Sequence, residues 1–188
     1  MTTSLPLSPA AVGDFERYRS YLTMLARSNV APRNRARLDP SGLVQQTLLH
    51  AVKGQGQLRG QSEAEVMAWL KQILANQLAD ALRGLARAKR DVSREQSLDQ
   101  IADSFSRVDG WLVAMQPSPS QQAVRSEELF RMAEALGKLP ELQRDAIVLH
   151  HLQGLPLAEV CEQLNKTPGA IAGLLHRGIK QLRELMSA

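Results

Sequence analysis

The chain has 188 residues, 44% hydrophobic and 22% charged, with 23 Lys+Arg against 19 Asp+Glu and a formal net charge of +4. It is long enough to bury one large or two small cores, and with only 4% aromatic residues its interior must be built from Leu, Ala, Val and Ile, which favours helices. A single cysteine, four histidines without an HExxH pattern and no apolar run near 18 residues exclude a disulfide framework, a Cys-rich zinc module and a membrane span.

The N-terminus carries no basic cluster followed by an apolar core, so no secretory signal is expected. No Gly-rich phosphate loop and no GxSxG is present. The expected class is an all-α cytoplasmic protein that is not an enzyme and uses neither metal nor cofactor. In chain order, Phe15, Tyr18, Leu22 and Leu25 mark one helical stripe. Pro32 and the basic run Arg33, Arg35, Arg37 interrupt it; that run is read as a solvated loop in preference to a DNA contact. Leu43/Val44, Thr47/Leu48 and Ala51/Val52 mark a second helix ending near Gly54 and Gly56. A third runs from about Ser62 to Arg87, and Ser62 with Glu65 has the form of a capping box.

Residues 91–125 lose this regularity and contain Pro117 and Pro119. They read as an interdomain linker with at most a short helix around Ser97–Ser104. The expected fold is two small helical domains, 10–92 and 126–188, joined by a flexible linker over 93–125. In the second, helices are expected over 126–138, Glu141–Leu152 and Leu157–Leu164. A tight Asn165-Lys-Thr-Pro turn follows, then a last helix from Pro168 to Leu185 with Thr167 as N-cap.

A short helix, a tight turn and a longer helix is the helix-turn-helix pattern. Wound at about 100° per residue, the last helix puts Ile171, Leu174, Leu175, Gly178, Ile179, Leu182 and Leu185 on one side. Gly169, Gly173, His176 and Lys180 fall opposite, flanked by Arg177 and Arg183. Small residues let a backbone approach a groove, and cations further along reach phosphates. Charge segregates accordingly: Ser126–Asn165 holds seven acids and three bases, Lys166–Arg183 four bases and no acid. The long third helix divides similarly, with Val66, Leu70, Leu74, Ala81, Leu82 and Leu85 inward and Trp69, Asn76, Asp80, Arg83 and Arg87 near another line, followed by Lys89, Arg90 and Arg94. Asn reads base edges, Arg holds phosphate, and Asp80 one turn before Arg83 can orient it as an ion pair. Trp69 is read as packing against a neighbouring helix in preference to stacking on a base.

Leu43-Val-Gln-Gln-Thr-Leu-Leu, Leu58-Arg-Gly and the run from Trp69 to Arg83 resemble the second conserved domain of bacterial sigma factors. Leu139-Pro-Glu-Leu-Gln-Arg-Asp-Ala-Ile-Val-Leu, Gly154-Leu-Pro-Leu-Ala-Glu-Val and Gly169-Ala-Ile resemble their fourth. With no room between for a third domain, the layout is similar to the extracytoplasmic-function group. The resemblance implies that Leu43, Gln45, Gln46, Thr47 and Leu48 dock on the clamp of core RNA polymerase. It places Asn76, Asp80, Arg83, Arg87, Lys89 and Arg90 at the minus-ten element, and Lys166, Thr167, Ala170, Gly173, His176, Arg177 and Lys180 at the minus-thirty-five element. It also implies contact of the fourth domain with the polymerase flap, and an anti-sigma protein among candidate partners.

The chain departs from the family pattern at Gly42, Gln46 and Leu48, where the family has Asp, Glu and Phe. At Ala172, Gly173 and Leu174 it lacks the basic residue, Ser and Arg that the family often has there, so the expectation is either that Gln163 and Lys166 share readout with His176, Arg177 and Lys180 or that sequence readout there is weak. Pro156 replaces a Ser cap, and Cys161 is expected small and buried. Two rival readings stay open: a stand-alone helix-turn-helix regulator acting as a dimer, and a polymerase-binding protein with degenerate promoter readout.

Overall fold

The computed structural model describes residues 14–58, 62–89, 97–114 and 122–187, and among these every regular element is helical. A 3₁₀ turn, Phe15–Tyr18, leads into α1 (Arg19–Arg27). Then come α2 (Pro40–Gly54), α3 (Glu63–Lys89), α4 (Leu98–Ala114), α5 (Gln122–Lys138) and α6 (Glu141–Ile147). α6 continues as a single π turn, Val148–Leu152, before α7 (Leu157–Leu164) and α8 (Pro168–Ser187).

Local chemistry sets the helix starts. Asp39 accepts the backbone N–H groups of Ser41 and Gly42 at 3.1 and 3.0 Å, and Pro40 follows at the first helical position. α2 therefore begins three residues before the apolar spacing suggests. At α3 the capping box forms as read: the Glu65 carboxylate accepts the Ser62 N–H at 3.0 Å, and Ser62 Oγ accepts the Glu65 N–H at 3.3 Å.

The segment expected to hold at most a short helix is corrected by α4, which is 17 residues long. Its start is a second capping box, Ser97 with Gln100, at 3.0 and 3.2 Å. Its buried residues Ile101, Phe105 and Val108 repeat at four- and three-residue steps, a stripe hidden among the surrounding Ser and Asp. The expectation at Pro117 and Pro119 lies outside the described residues.

The two helical groups do not stand apart. One core cluster runs from Phe15, Tyr18 and Leu25 through Leu70, Leu78 and Ile101 to Phe130, Leu136, Ile147 and Leu182. Phe130 of α5 meets Tyr18 edge-on at 5.2 Å and Tyr21 at 6.1 Å. Asp109 of α4 accepts the Tyr21 hydroxyl at 2.7 Å and Lys71 of α3 at 2.8 Å.

In the basic run Arg33 and Arg37 are exposed, and the loop reading is corrected at Arg35 alone. Arg35 is neither solvated nor a DNA contact: its Nη1 lies 2.7 Å from both oxygens of Asp145 in α6, and Arg27 Nη1 approaches the same carboxylate at 3.6 Å. Asp145 is only 4% exposed. Thus α1 and the turn after it are tied electrostatically to the helix that precedes the helix-turn-helix.

α4 also reaches the π turn, where Trp111 stacks on His151 with ring centroids 5.7 Å apart. His150 Nδ1 lies 2.9 Å from the Leu155 carbonyl, which accepts its proton. Burial, and then the neighbouring His150, push His151 below the ordinary 6.5. The unfolded chain therefore takes up this proton at a higher pH than the native chain does, and stability falls as pH drops below about 6.5. Thermal melts between about pH 7.5 and 5.5 are expected to show a loss in the wild type that His151→Phe reduces.

Candidate nucleic-acid interface

The helix-turn-helix is built from α7 and α8. Asn165 closes α7 in the left-handed region at φ 51, and the Lys166 N–H reaches back to the Cys161 carbonyl at 3.0 Å. Thr167 Oγ1 accepts the Ala170 N–H at 3.3 Å and so caps α8, with Pro168 following. Leu149, Val160 and Ile171 form a small core that fixes the two helices on the π turn. Gly178 lets α8 lie against α6: a Cβ there would meet Ile147 Cδ1 at 2.9 Å and Gln143 Cβ at 3.3 Å.

This packing presents Lys166, Thr167, Ala170, His176, Arg177, Lys180 and Arg183 to solvent on one side of α8. Gly173 is half-buried beneath the Arg177 guanidinium, whose Nη1 would lie 3.2 Å from a Cβ at 173. Arg177 therefore rests over the smallest surface on that helix. A side chain at 173 would push the guanidinium aside, so Gly173 and Arg177 act as one unit. Gln163 differs from its expectation: its Oε1 is buried and lacks a hydrogen-bond partner, in a cleft of about 510 Å³ shared with Arg33, Ser104 and Arg107. Cys161 is half-buried against the small core, less enclosed than its small apolar character predicts.

On α3, Asn76, Asp80 and Arg87 are exposed and Arg83 is half-exposed. Asn76 Oδ1 accepts from Gln72 at 3.2 Å, and Asp80 holds Arg83 in an ion pair within the helix. Lys89 ends the helix; its side chain, and all of Arg90, lie outside the described residues. Trp69 packs at 5.9 Å on Phe15, and its Cζ2 would be 3.4 Å from a Cβ at Gly54. Its ring is thus used between helices, in keeping with the packing reading.

The five α2 residues separate. Gln45 and Gln46 are exposed, whereas Leu43, Thr47 and Leu48 are buried. Thr47 Oγ1 bonds to the Leu43 carbonyl and to Gln77 Oε1, both at 2.9 Å, and Gln77 Nε2 lies 2.9 Å from His50 Nδ1. The outer face instead carries Leu49 and Val52, 51% and 57% exposed, one helical step from Gln45. Val52 was expected inward with Ala51, and Leu49 was not singled out. The signal for both was present, because α2 has apolar residues on more of its circumference than one core face can cover.

These surfaces define the class: an all-helical DNA-binding protein organised around a basic helix-turn-helix. Residues 129–182 match the family described as Sigma-70, region 4. The ECF RNA polymerase sigma factor SigD of Mycobacterium tuberculosis is 25% identical over 169 residues, covering 90% of this chain and 73% of that protein. BldN, an ECF sigma factor of Streptomyces coelicolor, is 28% identical over 144 residues, covering 77% and 49%. The sigma factor CarQ of Myxococcus xanthus is 28% identical over 144 residues, covering 77% and 72%. Over most of its length the chain is thus similar to RNA polymerase sigma factors of the ECF group.

Proposed function

We propose that this chain binds core RNA polymerase and directs promoter-specific transcription initiation without catalysing a reaction. The observation that carries this reading is the basic outer face of α8, held clear of the core by the Leu149–Val160–Ile171 packing. The similarity to ECF sigma factors over most of the chain supports it. Residues 126–188 would read the minus-thirty-five element through Lys166, Thr167, Ala170, Gly173, His176, Arg177 and Lys180. Residues 10–92 would engage the minus-ten element through Asn76, Asp80, Arg83, Arg87, Lys89 and Arg90. Readout at the first element rests on backbone approach and phosphate contacts, since Ala170, Ala172 and Gly173 offer no base-edge donors. With Trp69 committed to packing, base stacking contributes little to opening, so the chain suits a narrow set of promoters.

For the polymerase surface, the exposed set Gln45, Gln46, Leu49 and Val52 replaces the buried Leu43, Thr47 and Leu48 as the contact. Two exposed aliphatic side chains on one face suit docking by packing, with no acidic residue in α2. Changing both Leu49 and Val52 to Asp is expected to weaken polymerase binding about 100-fold or more, as for loss of a small hot-spot cluster. Because both are exposed, the melting temperature should change little. Binding unchanged by the pair would place the contact elsewhere.

The two promoter elements, about 25 base pairs apart, span about 85 Å of B-form DNA. A compact chain of this length has a radius of gyration of about 16 Å. The packed arrangement therefore cannot engage both elements, and α5–α8 must leave α1, separating Phe130 from Tyr18 and Tyr21 and Asp145 from Arg27 and Arg35. The test is pull-down of bacterial core polymerase followed by run-off transcription on randomised promoters. Stable binding with selection of a two-part promoter is the expected result. Binding without initiation would favour the degenerate interaction protein, and DNA retained without polymerase would favour the dimeric regulator. An anti-sigma protein is a further candidate partner.

A further inference from the structure

A second cavity lies away from both DNA-facing surfaces. It has a volume of about 240 Å³ and sits where α1 meets α5 and α6. Met24, Leu136 and Val148 contribute apolar walls, and Arg19, Arg27 and Arg144 contribute guanidinium groups. Of the three, Arg19 is already neutralised by Glu16, at 2.7 and 2.8 Å. The other two are not matched in the same way. Arg144 Nη1 donates to the Gly137 carbonyl at 2.9 Å, while its Nε is buried without a hydrogen-bond partner. Arg27 has only the longer 3.6 Å approach to Asp145, and its Nη1 is also buried and unpartnered.

Asp145 cannot serve both sides, because it is engaged at 2.7 Å by Arg35, whose Nε and Nη2 are unpartnered too. Two guanidinium groups thus share one buried carboxylate with Arg144 close enough to repel Arg27, and the next acid that Arg27 senses, Glu141, is exposed and solvated. Burial, then repulsion from Arg144 and Arg35, push Arg27 below its ordinary range. Two arginines without a full carboxylate partner, lining a cavity that also has an apolar wall, are what an anion with a short hydrocarbon part would pair with.

We propose that the pocket between α1, α5 and α6 is a binding site for a small organic oxyanion, a phosphate monoester or carboxylate, held by Arg27 and Arg144 with its apolar part against Met24, Leu136 and Val148. The site draws on α1 from one helical group and on α5 and α6 from the other, so a bound anion holds the packed arrangement.

The test is thermal unfolding of the full chain in sodium chloride, inorganic phosphate and phenyl phosphate at matched ionic strength and pH. Phosphate is expected to raise the melting temperature by about 2–4 °C over chloride at a few times its dissociation constant. Phenyl phosphate is expected to do so at about tenfold lower concentration, because the ring buries apolar area. Arg144→Met should lose the response to both anions. Gly137 lines the pocket and a Cβ there meets nothing within 4 Å, so Gly137→Glu should fold. Its carboxylate is expected to raise the melting temperature in chloride and abolish the response to phosphate. Equal responses in all three proteins would assign the effect to exposed cations and overturn the proposal. No response in the wild type, or no advantage of phenyl phosphate over phosphate, would overturn it as well.

Discussion

Asp145→Ala is expected to destabilise the free chain by about 3–5 kcal/mol, the range for removing one partner of a buried ion pair. The carboxylate is 4% exposed, and its loss leaves Arg35 and Arg27 inside the protein without a counter-charge. For a chain of this length that corresponds to a fall in melting temperature of about 6–20 °C. Asp145→Asn should lie close to Ala, since the amide keeps the shape but brings two donors toward guanidinium groups that need acceptors. Urea unfolding of the two variants against wild type measures this directly. A change below about 1 kcal/mol would mean that the pair forms in only a small part of the population and that the two helical groups separate readily. The same substitutions carry a functional signature: by loosening the packed arrangement they should raise the rate of polymerase capture even as they lower stability.

The second large effect is expected at the DNA surface. Arg177→Ala combined with Lys180→Ala should lower affinity for a minus-thirty-five duplex about 10–100-fold near 0.15 M salt while leaving polymerase binding intact. Each lost phosphate contact should reduce the slope of log affinity against log salt by about 0.9, so the pair should flatten it by nearly 2. Both residues are exposed, and the melting temperature should stay within the small range of surface substitutions. Because Arg177 lies over Gly173, Gly173→Ser is expected to displace the guanidinium and reproduce part of the Arg177→Ala loss without removing charge. An unchanged salt slope in the double variant would remove α8 from the DNA contact.

Much of the chain was legible wherever the decisive chemistry is local. The bounds of α7, the tight turn at Asn165 and the Thr167–Pro168 start of α8 follow from residues within four positions of one another, and they match the reading from spacing and capping. The Ser62–Glu65 box is the same case. α4 was legible in principle, through Ser97 with Gln100 and the Ile101–Phe105–Val108 stripe, but the polar composition around it and the prolines that follow drew attention to a linker. In α2 the sequence supplies apolar residues at 43, 44, 48, 49, 51 and 52, more than one inward face can hold. Periodicity alone could not say that Leu49 and Val52 would be the ones left outside.

The sequence by itself determined that the protein is helical, that it ends in a basic helix-turn-helix, and that its ordered motifs resemble those of the sigma factors. Those properties come from short-range periodicity, capping and ordered motifs, which need no knowledge of what the helices meet. Only the tertiary structure decided that Arg35 is a buried partner of Asp145, 110 residues away, and that Tyr18 and Tyr21 pack on Phe130. It also decided that Arg27 and Arg144 face a common pocket. The partner of a charge and the covering of an apolar face are set by chain segments far apart in sequence, brought together by burial of a shared core, and no local pattern encodes which segments those are.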